Sequence, residues 1–589
     1  MVRFPYHDSA SAEPSATTPL LSDPAASDGT SSPRNGSSRA SRLRELILFV
    51  WALVATAAVV VFAVWTQHSA TTHPSPLPDK RNLIFMVSDG MGPASLSLTR
   101  SFRQHINGLP IDDTLTLDRH LWGTSRTRST NSLVTDSAAG ATAFSCGRKS
   151  YNGAISIVPP NYEPCGTVLE AAKRAGYTTG LVVTTDITDA TPACFASHAV
   201  IRALNDDIAT QEIGDGPLGR VVDLMLGGGR CHFLPNTTSG SCRQDDYDVA
   251  GKAQKDFGWT YLDDRKGFNS LNGGEDVTLP LMGLFASRDI PFELDRRNMN
   301  DVYPSLSEMA KTAIRALEKA TENSDKGFFL MIEGSRIDHA AHINDPAAHV
   351  HEVIEYDNTF KYVTEYLKKS KTEGMLVATS DHETGGLATA LQEPGYGPIY
   401  NWYPAVLAKA KSSAEYLSFL LRQHLASDAA ASDKDALRDW INTHLAIQGL
   451  GITDARPAEI DSLIKNPEEA TNILADMISR RARIGWSTHG HTAVDVNIYS
   501  SGGPRASQIR GNVENTDVGK FLREYLEVDV DEITKELLEK MNKGEESKQD
   551  AIKHLESMSG VAAEYTDAFG GKAWDHWVDH VDSESFKDL

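Results

Sequence analysis

Four short apolar runs, each stopped by an acidic residue, constrain this chain more than any other feature. Asn82 to Ser88 (NLIFMVS) ends in Asp89-Gly90-Met91-Gly92, and Thr178 to Thr185 (TTGLVVTT) is followed by Asp186 and Asp189. Phe328 to Ile332 (FFLMI) leads into Glu333-Gly334, and Met375 to Ser380 (MLVATS) into Asp381-His382. Runs of this length suit buried strands, and they alternate with helix-like stretches such as Val168 to Ala175 and Ser305 to Lys319. The alternation predicts parallel βα units, hence an α/β fold with a central, mostly parallel sheet flanked by helices. In open α/β sheets the ligand crevice lies just past the C-terminal ends of the strands. Asp89, Asp189, Glu333 and Asp381 all fall there. One such residue is readily a turn former; four are hard to assign to turns alone.

A second stretch, Val134-Thr135-Asp136-Ser137-Ala138-Ala139-Gly140-Ala141-Thr142-Ala143, sets an acid beside a hydroxyl and follows them with small residues. A helix starting at Ser137 would leave its first turn unshielded. Its N–H groups and the positive end of its dipole would favour an anion docked against the serine oxygen. The plainer reading is that Asp136 or Ser137 only caps a closely packed helix.

Metal-ligand chemistry clusters elsewhere. In Glu333-Gly-Ser-Arg-Ile-Asp338-His339-Ala-Ala-His342, Asp338 and His342 are four apart, so one helical turn brings both side chains to the same ion. Asp381 and His382 pair a carboxylate with an imidazole, and His491 follows in Gly490-His491-Thr492. With Asp89 and Glu333 these residues offer nitrogen and oxygen ligands for two zinc-like ions and an oxygen-rich place for magnesium. Taken singly, His491 reads as a packing histidine and Asp381 as a turn residue. Asp189-Ala-Thr191-Pro192 adds a carboxylate and a hydroxyl. Arg202, eleven residues past Thr191, could clamp two phosphate oxygens at once.

Outside these motifs, Leu46 to Trp65 (LILFVWALVATAAVVVFAVW) carries no charge and is long enough to cross a hydrocarbon core. Arg34, Arg39, Arg42 and Arg44 precede it, and Gln67 to Pro78 hold no lysine or arginine. The positive-inside rule therefore predicts a signal anchor with a cytosolic N-terminus. The expected layout is a disordered cytosolic tail (1–45), the transmembrane anchor (46–65), a Pro-containing stalk (66–80) and a catalytic domain (81–525). Within that domain, 395–485 reads as a helical surface insertion, with helices over Ala405 to Leu425, Lys434 to Ile447 and Glu468 to Arg483. A charged C-terminal extension (526–589) follows. Leu20-Leu21 in the tail could serve as a sorting signal, though a double leucine is too common to prove one; His576 and His580, four apart, could suggest a metal pair, but no other ligand candidate fits their helical spacing. Net charge is −22, and the first 45 residues hold five basic and five acidic side chains, so the excess lies beyond them. Such an acidic body argues against nucleic-acid binding.

These separated stretches, from Arg81 to about Ser500, resemble the alkaline phosphatases; with the N-terminal anchor, the chain is similar to the fungal vacuolar (repressible) members. The resemblance implies hydrolysis of small phosphate monoesters, with Ser137 as nucleophile, Arg202 on the phosphate and Asp136 positioning that arginine. It implies one zinc held by Asp338, His342 and His491, and another by Asp89, Asp381 and His382 with Ser137. Magnesium would take Asp89, Thr191 and Glu333, with Asp189 acting through water. His339 is the animal-like choice at its position and Asp189 the bacterial-like one. A homodimer and a vacuolar-membrane, lumenal location are implied as well. A sulfatase would want Cys or Ser followed by x-Pro-x-Arg, which Ser137-Ala-Ala-Gly-Ala lacks. A superfamily phosphodiesterase and a catalytically dead, membrane-tethered binding protein are the other readings.

Five cysteines lie in the body. Cys231 and Cys242 flank a short Asn/Ser/Gly-rich loop and are expected to pair. Cys146 is expected to be a free packing thiol. The sequon at Asn236 is expected to carry glycan and the one at Asn35, on the cytosolic side, none.

Overall fold

Strand β1, Arg81–Val87, is buried along its whole length, and its side chains divide by period two between two cores. Leu83, Phe85 and Val87 enter one apolar cluster, and Ile84 and Met86 the other, on the opposite face. The computed structural model of the chain describes residues 39–72, 77–426 and 434–542.

The remaining strands of the main sheet are β2 (Leu121–Arg126), β3 (Thr178–Asp186), β4 (Leu224–Gly228), β5 (Thr260–Leu262) and β6 (Leu281–Leu284). They are followed by β7 (Phe328–Glu333), β8 (Glu373–Thr379), β9 (Val496–Ser500) and β10 (Gly511–Glu514). The ten lie in the order β10-β2-β9-β8-β1-β7-β3-β4-β6-β5. Only β9 runs against the others among the described strands, pairing antiparallel with β8 and β2. The predicted mostly parallel α/β sheet is therefore present. The four runs read from the sequence are β1, β3, β7 and β8, adjacent at its centre. In register, Val87 lies opposite both Glu333 and Thr379, so the acids after three neighbouring strands reach one crevice.

Helix Ser137–Cys146 lies against the sheet through Phe144, which meets Phe85 edge-on at 5.4 Å between ring centroids. Truncating Phe85 to alanine would cost about 3–5 kcal/mol and loosen the seat of this helix. On its other side, helix Asn515–Leu526 approaches so closely at Gly519 that a Cβ would stand 2.4 Å from the carbonyl oxygen of Ala143. The chain then continues into helix Val530–Asn542, whose Val530, Ile533 and Leu537 join the same core as β1.

The helices over 395–485 share an apolar cluster around Leu417, Leu421, Leu445, Leu474 and Ile478, which Leu98, Phe102, Leu294 and Val350 also join. The expected helix from Ala405 to Leu425 is two, Pro404–Leu407 and Ala414–Leu425. Ser413 divides them: it adopts an extended conformation and its hydroxyl caps the second helix by accepting from Tyr416 N. The next expected helix begins as Lys434–Trp440 and passes into a π-helix over Ile441–Gly449. The third is Ala470–Ala482, closed by Arg483 in the left-handed region.

As a separate unit, a helix runs Arg39–Thr72. Its segment Ser41–Val64 is long and apolar enough to cross a membrane, and none of it is buried. The helix extends past the apolar span into 39–45, expected as tail, and 66–72, expected as stalk. Leu20-Leu21, the Asn35 sequon, Arg34 and the His576/His580 pair lie outside the described residues.

Candidate active site

Asp136 caps helix Ser137–Cys146, accepting from Ala139 N at 3.0 Å, while its other oxygen accepts from Gly153 N at 2.8 Å. That cap leaves Ser137 as the first helical residue, buried at the positive end of the helix dipole. Gly140, one turn along, is a close-approach glycine: a Cβ there would stand 2.9 Å from Asp381 Cβ. The strand end after β8 can therefore press directly onto the serine helix.

Around Ser137 the strand-end residues converge. Ser137 Oγ lies 3.1 Å from His382 Nε2, and the same nitrogen is 3.1 Å from Asp381 Oδ2 and 3.4 Å from Asp89 Oδ1. A single N–H at Nε2 cannot serve three oxygens, and Asp89 Oδ1 and Asp381 Oδ2 are buried without a hydrogen-bond donor. A divalent cation would satisfy the whole group. Burial opposes the charged form of His382, but Asp381 beside it holds its pKa above the ordinary histidine value. The converse holds for Asp381: burial works to raise its pKa, and His382 brings it below the usual carboxylate range.

A second group stands beside the first. Asp338 Oδ2 is 3.0 Å from His342 Nε2, its other oxygen 3.8 Å from His491 Nε2, and the two histidines face each other Nε2 to Nε2 at 3.1 Å. Each ring is oriented from behind. His491 Nδ1 donates to the carbonyl of Thr135 at 2.8 Å, and His342 Nδ1 to the carbonyl of His489. Two imidazoles with protonated Nδ1 present bare lone pairs to each other, an arrangement that a shared cation stabilises. Burial works against ionisation of Asp338, yet His342 and His491 bring its pKa well below the usual range. Burial and the neighbouring His382 push His491 well below ordinary histidine.

The third group is oxygen only. Burial lifts the pKa of Glu333 to about 8, with Asp189 adding to the rise and Ser335, which donates to it at 2.6 Å, opposing it. Thr191 is buried near Glu333. Burial, with Asp381, Asp338, Glu333 and Asp189 nearby, raises Asp89 well above the carboxylate norm. So many carboxylates in one buried crevice need cations. An oxygen-only corner suits magnesium and the histidine-bearing groups suit zinc, so the residues present fit the expected ions.

Arg202 supplies the fixed positive charge. Its Nη2 donates to Asp189 Oδ1 at 2.6 Å, and its Nη1 lies 3.7 Å from Asp136 Oδ2. Burial opposes its charge, but Asp189 and Asp136 hold its pKa above that of free arginine. It stands on a loop, not a helix, anchored where Arg202 N donates to the carbonyl of Gly153 at 2.7 Å. Asp89, Ser137, Asp338, His342, Asp381, His382 and His491 thus stand within a few ångströms of one another, with Arg202 between Asp136 and Asp189.

The alkaline phosphatase family model matches residues 80–528. The chain belongs to the alkaline phosphatase family. It is 54% identical over 475 residues to the repressible alkaline phosphatase of Saccharomyces cerevisiae, covering 77% of this chain and 83% of the relative. The Thermus thermophilus alkaline phosphatase superposes with a TM-score of 0.63 at 26% identity, over 81% of this chain and 98% of that one. A variant of the TAB5 alkaline phosphatase solved with Mg bound superposes at 0.52 and 25% identity, over 77% and 99%. The chain is accordingly a phosphatase of a metal-dependent family.

Two features of this phosphatase escape sequence reasoning. Arg336, fully buried on the helix that carries Asp338 and His342, pairs with Asp289 at 3.1 Å and with Glu415 of the insertion at 2.7 Å. His339 meets the same Asp289 at 3.1 Å. The cysteine expectation also needs correcting. Cys231 and Cys242 form a disulfide as expected, but Cys146 is bridged to Cys165 and the free thiol is Cys194. The short antiparallel pair Ile157–Val158 with Glu163–Pro164 turns the chain back and carries Cys165 to the end of the serine helix. Burial pushes the Cys194 thiol up to about 12, so it packs as an inert group.

Proposed function

We propose that this phosphatase hydrolyses small phosphate monoesters through a phosphoserine on Ser137, using two zinc ions and one magnesium ion. The convergence of Ser137 Oγ, Asp89 and Asp381 on His382 Nε2 carries the reading. Asp338, His342 and His491 would hold one zinc; Asp89, Asp381 and His382, with Ser137, the other. Asp89, Thr191 and Glu333 would hold magnesium, with Asp189 acting through water. When bound, the ions supply Lewis acidity that favours ionised Ser137 and offsets charge on the phosphate and leaving oxygens.

The chain's own residues do the rest. Ser137 Oγ attacks phosphorus, the ester oxygen departs with a proton, and water then attacks the same phosphorus to release phosphate and restore the serine. Arg202, oriented by Asp136 and Asp189, donates charge-assisted hydrogen bonds to two phosphoryl oxygens. A diester keeps only two free oxygens, both of which that fork would occupy, whereas a monoester keeps a third for the neighbouring metal-ligand groups, which favours monoesters. The serine helix N-terminus adds its dipole to the stabilisation of the same charge.

The arginines before the uncharged span Leu46 to Trp65 support a type II topology, with the catalytic body lumenal, and the resemblance to the fungal vacuolar members implies the vacuolar membrane. A homodimer completes the proposal. The test is turnover of p-nitrophenyl phosphate: we expect activity that a chelator abolishes and zinc plus magnesium restore, with phosphate transferred to an added alcohol such as Tris. Preferential cleavage of a bis-ester would favour a phosphodiesterase. Absence of turnover in the metal-loaded protein would favour a binding protein.

A further inference from the structure

We propose that Thr384 is a positioning residue that joins the two zinc-ligand groups into one unit, by fixing the tautomer of His382 and the orientation of Asp338. The inference rests on the ligand assignment proposed above. Thr384 is buried and sits in a two-residue antiparallel ladder, Glu383–Thr384 against His491–Thr492, in which it lies opposite His491. Its N–H donates to the carbonyl of Gly90, the neighbour of Asp89, at 3.2 Å. Backbone contacts alone therefore set it between the ligands of both groups.

Its hydroxyl completes the link. The single hydroxyl proton goes to Asp338 Oδ1, a carboxylate oxygen that accepts it. The hydroxyl oxygen lies 3.1 Å from His382 Nδ1, so it must accept there, and Nδ1 must carry the proton. With Nδ1 committed, Nε2 is the atom that faces Ser137, Asp89 and Asp381. His342 and His491 are oriented by main-chain carbonyls, each serving one ring. Thr384 differs, because one side chain orients a ligand in each group. Movement of Asp338 at the rim is thereby felt by His382 beside the nucleophile.

The test compares the full-length protein in detergent with Thr384→Val, which keeps the shape and removes the hydroxyl, and Thr384→Ser, which keeps the hydroxyl. Zinc content is measured across a series of chelator-buffered free-zinc concentrations, with kcat read in parallel. Thr384→Val should bind zinc roughly 10- to 100-fold more weakly and lose rate in step, while Thr384→Ser stays close to the parent. If Thr384→Val does not fold, Thr384→Ala carries the same comparison. Zinc binding by the hydroxyl-free variant equal to the parent's would overturn the proposal, and so would a serine variant as weak as the valine one. Asp338→Ala serves as the reference: if it binds zinc as well as the parent, the ligand assignment itself fails, a result distinct from either of those.

Discussion

The two proposed zinc-ligand groups lie side by side with their histidines at different depths, and they are built from different material. Asp381 and His382 have no exposed side-chain surface, whereas His342 and His491 keep 17% and 12% of theirs. The deep group grows from the ends of β1 and β8, neighbours at the centre of the sheet, and inherits the rigidity of that core. The rim group comes from one short helix and the two-residue strand His491–Thr492, and the helices over 395–485 brace both. Glu415 pairs with Arg336 at the start of the ligand helix, and Ser479 donates to the carbonyl of Asn344 just past its end at 3.0 Å. Asn344 in turn donates to the carbonyl of Thr488 in the loop that leads to His491, at 3.1 Å. The depth of a ligand therefore predicts what supports it: the sheet for the nucleophile's side, the insertion for the side open to solvent.

The sharpest break concerns chemistry alone. Ser137→Ala should lower kcat by roughly 10⁴-fold or more while leaving zinc content unchanged, because Asp89, Asp381 and His382 remain. His342→Ala should do the opposite at the rim, losing zinc and activity together when metal content is measured by plasma mass spectrometry. A variant that lost rate but kept its zinc would place His342 outside the ligand set.

Next in size is the brace. Glu415→Ala removes one partner from a wholly buried guanidinium and should cost about 3 kcal/mol in urea unfolding. A loss under about 1 kcal/mol, the value of a surface pair, would mean that the insertion does not support the rim in this way. Arg202→Ala should weaken inhibition by phosphate by about 1.5–3 kcal/mol, with a smaller change in zinc binding. Equal inhibition of parent and variant would show that Arg202 does not meet the phosphate.

The smallest effect sharpens the support of the Arg202 loop. Burial opposes the charge on His198, but Glu170 at 2.9 Å raises its pKa above the unfolded value of about 6.5. A raised folded pKa gives stability that is fully present below about pH 6.5 and is lost as pH climbs through the folded value. Glu170→Gln should therefore flatten the fall in stability just above that pH. An unchanged profile of melting temperature against pH would refute the pairing.

Sequence reading reached the centre of the molecule more readily than its edges, for physical reasons. β1, β3, β7 and β8 are apolar on both faces, so each appears as an unbroken run with an acid after it. β10 (GNVE) is an edge strand and β2 (LWGTSR) lies next to it; both keep exposed or half-exposed side chains and show no such run. The proposed deep ligands stand out in the sequence by strand-end position, and Asp338 with His342 by helical spacing. His491 was legible as a ligand only through family resemblance, since a lone histidine carries no spacing. Arg336 with Glu415 lay beyond reach because the partners are 79 residues apart and meet only when the insertion folds back. Cys146 was misread for the same reason: its partner arrives through a hairpin that local periodicity does not reveal.

Trapping the intermediate tests the central claim most directly. The metal-loaded enzyme is incubated with labelled inorganic phosphate at mildly acidic pH, quenched in acid and mapped by peptide. Stable label is expected on the peptide containing Ser137 and none in Ser137→Ala. Label on any other residue, or full activity in the unlabelled alanine variant, would contradict it.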